Sequence, residues 1–240
     1  MRFITGSSYE EVSQEAAKIF AEVIKEKPDG VLGLATGSTP LGMYRELIRL
    51  YEAGELDFSR LTTVNLDEYY PLAPDHPQSY RYFMNTNLFD HINIDKARTF
   101  VPDGLAKEPV VACAAYDMMI ERLGGIDIQL LGIGENGHIA FNEPADELVA
   151  GTHLTDLTES TIRANSRFFE SEADVPRRAM TMGMGSILHA RKIVLIACGK
   201  NKHAAVELLK GDKITPQCPA SLLKLHSDVT IICDKEAFLG

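Results

Sequence analysis

Residues 31–54 read VLGLATGSTPLGMYRELIRLYEAG, and this stretch decides the architecture. Val31–Ala35 is short and apolar, the pattern of a strand buried on both faces. A small, hydroxyl-rich turn follows, Thr36-Gly37-Ser38-Thr39. Pro40 then predicts the first position of an amphipathic helix over about 40–53, with Thr39 as its N-cap. A buried strand that runs directly into a helix is the repeating unit of a parallel sheet covered on both faces. The same unit recurs outward along the chain. Leu61–Leu66 (LTTVNL), Ile126–Ile133 (IDIQLLGI), Ile193–Ala197 (IVLIA) and Val229–Cys233 (VTIIC) read as further buried strands. Val12, Ala16, Ile19, Phe20, Val23 and Ile24 fall on one helical face before the first of them. Further helices are expected near 78–90, 108–123, 201–210 and 219–225. The reading is an α/β fold with a mostly parallel sheet flanked by helices.

The chain has 240 residues, which suits one such domain spanning 1–240. Its formal net charge of −10 repels nucleic acid and anionic membranes, so neither is an expected partner. A phosphorylated metabolite is still admissible, because a few local donors outweigh a screened overall field. Cys113, Cys198, Cys218 and Cys233 form no C-x-x-C pair and read as mostly buried thiols of a reducing compartment. No N-terminal stretch resembles a signal peptide, and no run of apolar residues is long enough to span a bilayer. The expected location is the cytoplasm.

Ligands of parallel sheets bind at the carboxyl ends of the strands, so the residues just after each strand carry the most information. The Thr36–Thr39 turn would present backbone N–H groups and hydroxyls to an anion at a helix start, or it is a plain capping turn. It lacks the G-K-[ST] of a P-loop. Asp67-Glu68 comes directly after Leu66. A carboxylate there can move a proton between adjacent carbons, or it belongs to a solvated acidic turn. Gly132-Ile-Gly-Glu-Asn-Gly-His138 fits G-x-G-x-x-G, but the irregular HIAFNEP after it cannot open the helix a dinucleotide fold needs. Pro144 also biases Glu143 away from helix. Here the glycines allow close backbone approach to a small ligand while His138 enters the site, oriented by Glu143 or Asn136. Arg167 in ANSRFF and Lys202 in GKNKH, just after Ile193–Ala197, are possible phosphate partners or ordinary surface cations. No metal-ligand spacing is present, and no metal site is expected.

Residues 145–178 stand apart. They are polar, carry both signs of charge and show few periodic apolar positions. An excursion of this length reads either as a lid over the site or as a helical surface insertion.

Taken together, GLATGSTP, TTVNLDEY, SYRYFMN, LLGIGENGHIAFNEP, ANSRFF, VPRRAMTMGMGSIL and PASLLKLHSDVTIICD resemble the glucosamine-6-phosphate deaminase family. They occur in family order over nearly the whole chain, and several together are highly specific. The resemblance implies a modified doubly wound fold and a cofactor-free reaction in which glucosamine 6-phosphate and water give fructose 6-phosphate and ammonium. It also implies roles. Asp67 moves the proton between C2 and C1 of the open-chain sugar. His138 opens the ring, held by Glu143 and assisted by Asn136. That last position is aspartate in some relatives; asparagine cannot carry charge, so here it orients His138 by hydrogen bonding. Thr36, Gly37, Ser38, Thr39, Arg167 and Lys202 form the phosphate cradle, and 145–178 is the lid.

Longer members of the family are hexamers activated by N-acetylglucosamine 6-phosphate. Here Asp146 and Glu147 would repel that phosphate, His153 and Thr155 stand where arginine and lysine are expected, and the chain stops at Gly240. The expectation is a monomer without that regulation. Two other readings are a 6-phosphogluconolactonase on a related fold and a non-catalytic sugar-phosphate sensor. The DEYYP and HIAFNEP runs point away from the first. The joint presence of Asp67, His138 and Glu143 points away from the second.

Overall fold

The computed structural model describes residues 1–166, 169 and 171–240, less the side chains of Ser160, Ala164, Asn165 and Glu172. A seven-stranded sheet dominates it. In chain order its strands are β1 (Arg2–Gly6), β2 (Val31–Leu34), β3 (Thr62–Asn65), β5 (Thr99–Phe100), β6 (Ile128–Leu131), β9 (Ile193–Ala197) and β10 (Val229–Asp234). Their spatial order is β1-β10-β9-β6-β2-β3-β5, and every pairing is parallel. The strands expected from sequence are the inner five. They are buried on both faces, so alternation is lost and each reads as a continuous apolar run. In β9 every residue is buried. Burying each such aliphatic side chain stabilises the fold by roughly 1.5–3 kcal/mol relative to exposure.

Helices cover both faces, as βαβ crossovers require. α1 (Tyr9–Glu26) turns Val12, Ala16, Ile19, Phe20 and Ile24 into the core, and the Ser8 hydroxyl caps it by accepting the Glu11 N–H. α2 (Leu41–Glu52) buries Met43, Tyr44 and Leu47. α3 (Tyr80–Asn87), α4 (Pro109–Arg122) and α7 (His203–Lys210) lie within the expected stretches. Two short helices join them, α6 (Met184–Leu188) and α8 (Lys235–Leu239). The expected helix at 219–225 is a 3-10 helix, Pro219–Leu225.

A second sheet was not expected. β4 (Asp67–Tyr70), β8 (Arg178–Thr181) and β7 (His153–Asp156) pair antiparallel in the order β4-β8-β7. Residues 145–178 therefore hold an edge strand as well as α5 (Glu159–Asn165) and do not form a purely helical insertion. Tyr69, Phe141, Leu157, Ile162, Val175 and Ala179 make a separate apolar cluster beside this sheet. The chain passes from one sheet to the other at Leu66. Its N–H donates to the Leu34 carbonyl at 3.2 Å and its carbonyl accepts from Met182 N–H at 2.7 Å. Asp67 is thus the first residue of a new strand at the junction of the sheets, and not the tail of the strand before it.

Candidate active site

In an open parallel sheet the binding crevice lies where strand order reverses. The chain runs from β2 through β3 to β5 at one edge, then returns to β6 on the other side of β2. The switch point is between β2 and β6, which pair with Leu32 opposite Ile128. The turn Ala35–Thr39 leaves the end of β2, and the loop Gly132–Pro144 leaves the end of β6. Both sequence motifs flank this one crevice.

In the first motif Thr36 and Thr39 are half-buried, while Gly37 and Ser38 are exposed. Gly37 has φ +94°, a conformation that L side chains rarely adopt. The expected N-cap is corrected. α2 begins at Leu41, Pro40 occupies the cap position with helical backbone angles, and no side chain caps the helix from there. Tyr9 of α1 does that work instead. Its hydroxyl accepts the Gly42 N–H at 2.7 Å and lies 3.0 Å from the Thr39 carbonyl oxygen, to which it can donate. Among the described residues, no hydrogen bond occupies the hydroxyls of Thr36, Ser38 or Thr39, so they are available to an anion.

The second motif folds back on itself. Gly134 N–H donates to the His138 carbonyl at 2.9 Å, and Gly137 N–H to the Gly134 carbonyl at 3.0 Å. The His138 ring lies directly on Gly134, where an added Cβ would come within 2.3 Å of Cε1 and Nδ1. This close approach is why a glycine stands there. Farther along, the buried Asn142 amide donates to the Ile139 and Met182 carbonyls, each at 2.9 Å, and pins the loop to the residue just after β8.

His138 Nδ1 stands 3.3 Å from Glu143 Oε2. The atoms are at ion-pair distance but are not aligned as a hydrogen bond, and Nδ1 is buried without one. Asn136 makes the expected hydrogen bond with His138, but through the main chain. Its amide donates to Glu143 Oε2 at 2.8 Å, and its carbonyl oxygen accepts the His138 backbone N–H at 3.2 Å. It orients the carboxylate and the main chain, not the imidazole. Burial alone would raise the Glu143 carboxyl. The nearby His138 and donors from Thr161 and Asn136 outweigh burial and hold it at about 2.

Asp67 is 6% exposed. Burial, then the adjacent Glu68 carboxylate, push it up to about 8. Glu68 points to the opposite face of the strand. It accepts backbone N–H bonds from Tyr69, Tyr80 and Arg81 at 2.9 Å, yet burial still pushes it up to about 7. No hydrogen bond among the described residues occupies the Asp67 carboxyl, so it is a desolvated base-forming group at the sheet junction.

Lys202 is half-buried in the turn Lys200–Lys202 after β9, the neighbour of β6. The Asn201 amide donates to Glu135 Oε1 at 2.8 Å and ties this turn to the His138 loop. Arg167 lies outside the described residues. Among those described, no group of His, Cys, Asp or Glu could hold a metal ion, and no helix is long and apolar enough to cross a membrane.

Sequence reasoning missed Thr158, Thr161 and Thr181. Thr158 caps α5, and Thr161 donates its hydroxyl to Glu143 Oε1 at 2.7 Å. Thr158 ahead of Glu159 was readable as an N-cap residue, but nothing local linked Thr161 to Glu143.

Residues 7–232 match the family described as glucosamine-6-phosphate isomerases/6-phosphogluconolactonase. A glucosamine-6-phosphate deaminase of Clostridium perfringens is 60% identical, covering 99% of this chain and 98% of that protein. One from a Thermoanaerobacter species is 57% identical over 99% of this chain and 94% of its own length. A solved structure described as a monomeric glucosamine-6-phosphate deaminase superposes with TM-score 0.96 at 49% identity, covering 99% and 98% of the two chains. A Thermotoga maritima 6-phosphogluconolactonase shares the fold, with TM-score 0.73, 21% identity and 97% of both chains covered.

Proposed function

This chain belongs to the glucosamine-6-phosphate isomerase/6-phosphogluconolactonase family, and on that premise we propose that it is a glucosamine-6-phosphate deaminase. The reaction is glucosamine 6-phosphate plus water giving fructose 6-phosphate plus ammonium, an aldose–ketose isomerisation with deamination in amino sugar catabolism. The observation that carries the reading is the link between the Asp67 strand and the His138–Glu143 loop: Asp67 lies opposite Thr181, whose hydroxyl accepts the Phe141 N–H at 3.1 Å, and the two carboxyls are differently tuned. Glu143 is held as a carboxylate at about 2, and Asp67 is raised to about 8. Environments that push two carboxyls this far apart assign them different tasks.

His138, backed by Glu143 and Asn136, takes the proton of the anomeric hydroxyl and opens the ring. Asp67 then carries the proton from C2 to C1. Its high proton affinity suits it to accept a carbon-bound proton, and the substrate's own ammonium group favours the ionised form on arrival. Phosphate is held by Thr36, Gly37, Ser38, Thr39 and Lys202, with Arg167 joining them. No step requires a cofactor or metal. Residues 145–178 act as a lid that excludes water from the open-chain sugar. The protein works in the cytoplasm as a single domain over 1–240.

We assign it no hexamer-type activator site. Asp146 and Glu147 are exposed carboxylates that would repel a phosphate, and His153 and Thr155 offer no fixed cation. An effector without differential contacts shifts no equilibrium. Hyperbolic kinetics, indifference to N-acetylglucosamine 6-phosphate and a monomer by light scattering are the expected results. The solved relative described as monomeric supports that reading.

The test is incubation of purified protein with glucosamine 6-phosphate, scoring ammonium and fructose 6-phosphate in equal amounts. Binding without ammonium release would leave a sensor. Hydrolysis of 6-phosphogluconolactone without ammonium release would make it a lactonase.

A further inference from the structure

We propose that Thr161 is a positioning residue for ring opening. Its hydroxyl fixes the Glu143 carboxylate against His138, from a segment that does not belong to the catalytic loop. The inference rests on the deaminase reading above and adds a residue to it.

The two oxygens of Glu143 are held from opposite sides. Oε2 faces the catalytic loop, where it accepts from the Asn136 amide at 2.8 Å and lies 3.3 Å from His138 Nδ1. Oε1 faces α5, where it accepts the Thr161 hydroxyl at 2.7 Å, with the Thr158 hydroxyl at 3.5 Å. Asn136 and Thr161 together thus define the plane of the carboxylate. With only one of them, the group can rotate about its last side-chain bond, and the His138 contact is lost.

The direction of the Thr161 bond is also set. Thr161 N–H donates to the Thr158 oxygen at 3.2 Å, and the Thr158 hydroxyl points at the Thr161 oxygen at 3.0 Å. A hydroxyl has a single proton to donate. The Glu143 carboxylate can only accept, so the proton in this contact is the Thr161 hydroxyl's own. The start of α5 is therefore wired to deliver a donor, and a carboxylate is the acceptor that uses it best. Thr161 is itself 9% exposed, so water does not easily replace it. Ile162, the next residue, is 1% exposed in the cluster with Tyr69 and Phe141, which anchors α5 at this height.

His138 Nδ1 is buried and Glu143 Oε2 lies 3.3 Å from it, so whether this contact is made depends on where the Glu143 carboxylate stands. Glu143 itself is not part of the phosphate cradle, so a change confined to its position should lower kcat more than it raises KM.

The experiment compares Thr161→Val, Thr161→Ala and Thr161→Ser in the full chain, with Glu143→Gln and the Thr161→Val/Glu143→Gln double variant. Ammonium release and thermal unfolding are measured for each. A hydrogen bond to a charged group sets the scale, so Thr161→Val and Thr161→Ala should lower kcat about 10-fold with KM within about 2-fold. Thr161→Ser should restore most of the loss. Against Glu143→Gln, Thr161→Val should add less than about 2-fold, since the carboxylate it positions is already gone. Besides a flat series, two results would overturn the inference: an additive 10-fold loss in that background, or Thr161→Val near wild type while Thr161→Ser falls. The second would assign Thr161 to methyl packing, and the unfolding midpoints would show it. Absence of ammonium release by the wild-type protein would instead strike at the deaminase reading. A flat Thr161 series on an active wild type strikes only at this inference.

Discussion

Asp67 lies opposite Thr181 in the antiparallel pair β4–β8, and the Thr181 hydroxyl accepts the Phe141 N–H at 3.1 Å. The strand that carries the buried carboxyl is thereby fastened to the loop that carries His138. The carboxyl and imidazole groups sit on separate elements, and β8 holds the two in register. Asp67 gains no donor from this arrangement. It is placed, but it is left desolvated.

That placement predicts opposite effects of Asp67→Asn on activity and stability. The amide cannot accept a carbon-bound proton, so turnover and solvent-deuterium incorporation at C1 should vanish while sugar-phosphate binding persists. The stability effect comes from the raised carboxyl. Asp67 titrates near 4 in the unfolded chain and at about 8 in the folded one. Below pH 4 both states hold the proton. Between 4 and 8 only the folded state does, so wild-type stability falls as pH rises through this window. Asparagine does not titrate. The unfolding midpoint of Asp67→Asn should therefore match wild type near pH 4.5 and exceed it increasingly toward pH 8. A gap independent of pH would contradict the buried-carboxyl assignment.

Glu143 has the reverse sign. Its folded value of about 2 lies below the ordinary carboxylate range, so it stabilises the protein above about pH 4.3, and this is lost as pH falls toward 2. Glu143→Gln should be less stable than wild type at pH 7 and should converge with it on acidification. His138→Asn belongs to the same array. It should slow turnover of the cyclic sugar more than proton exchange in an analogue that is already acyclic. Equal losses on both substrates would remove ring opening from His138.

The architecture was legible because the inner strands are buried on both faces. IVLIA at 193–197 has no solvent side to introduce polar residues. The edge strands were harder to read, since β1 is partly exposed and β5 has only two residues. The second sheet was illegible for another reason. DEYY at 67–70 buries two carboxyls, one without a hydrogen bond among the described residues and one satisfied by the N–H groups at the start of α3. Local polarity there signals the site and hides the strand. His138, Glu143 and Asn136 were readable because the loop is contiguous. The Thr161 contact closes only in three dimensions, 18 residues from Glu143.

Gly134→Ala tests the close packing of the loop. The new methyl would meet the His138 ring at 2.3 Å, well inside contact distance, so the ring must leave its place over residue 134. The effect should appear as a kcat loss on the order of 10- to 100-fold, since small misplacements of a catalytic group have costs of this size. The backbone at Gly134 does not need a positive φ, and global stability should fall by only about 1–3 kcal/mol. Full activity with an unmoved unfolding midpoint would mean that the ring has another productive position.

The last prediction concerns the phosphate cradle. Lys202 stands at the end of β9, on a turn bound through Asn201 to Glu135 in the loop after β6. The Thr36–Thr39 turn leaves β2, the next strand over. A phosphate placed across the ends of these three adjacent strands would receive hydroxyls and backbone N–H groups from one side and a cation from the other. Lys202→Ala removes the cation and leaves the neutral donors in place. A charge-assisted bond contributes roughly 1.5–3 kcal/mol, so kcat/KM for glucosamine 6-phosphate should fall about 10- to 100-fold. Unphosphorylated glucosamine never used this bond, and its low rate should be unchanged. The preference for the phosphorylated sugar over the plain sugar should therefore shrink by the same factor. Thr39→Val should reduce that preference less, because a neutral donor contributes less than a charged one. Equal losses on both sugars for Lys202→Ala would place Lys202 in the chemistry or the fold, and would remove it from the phosphate site.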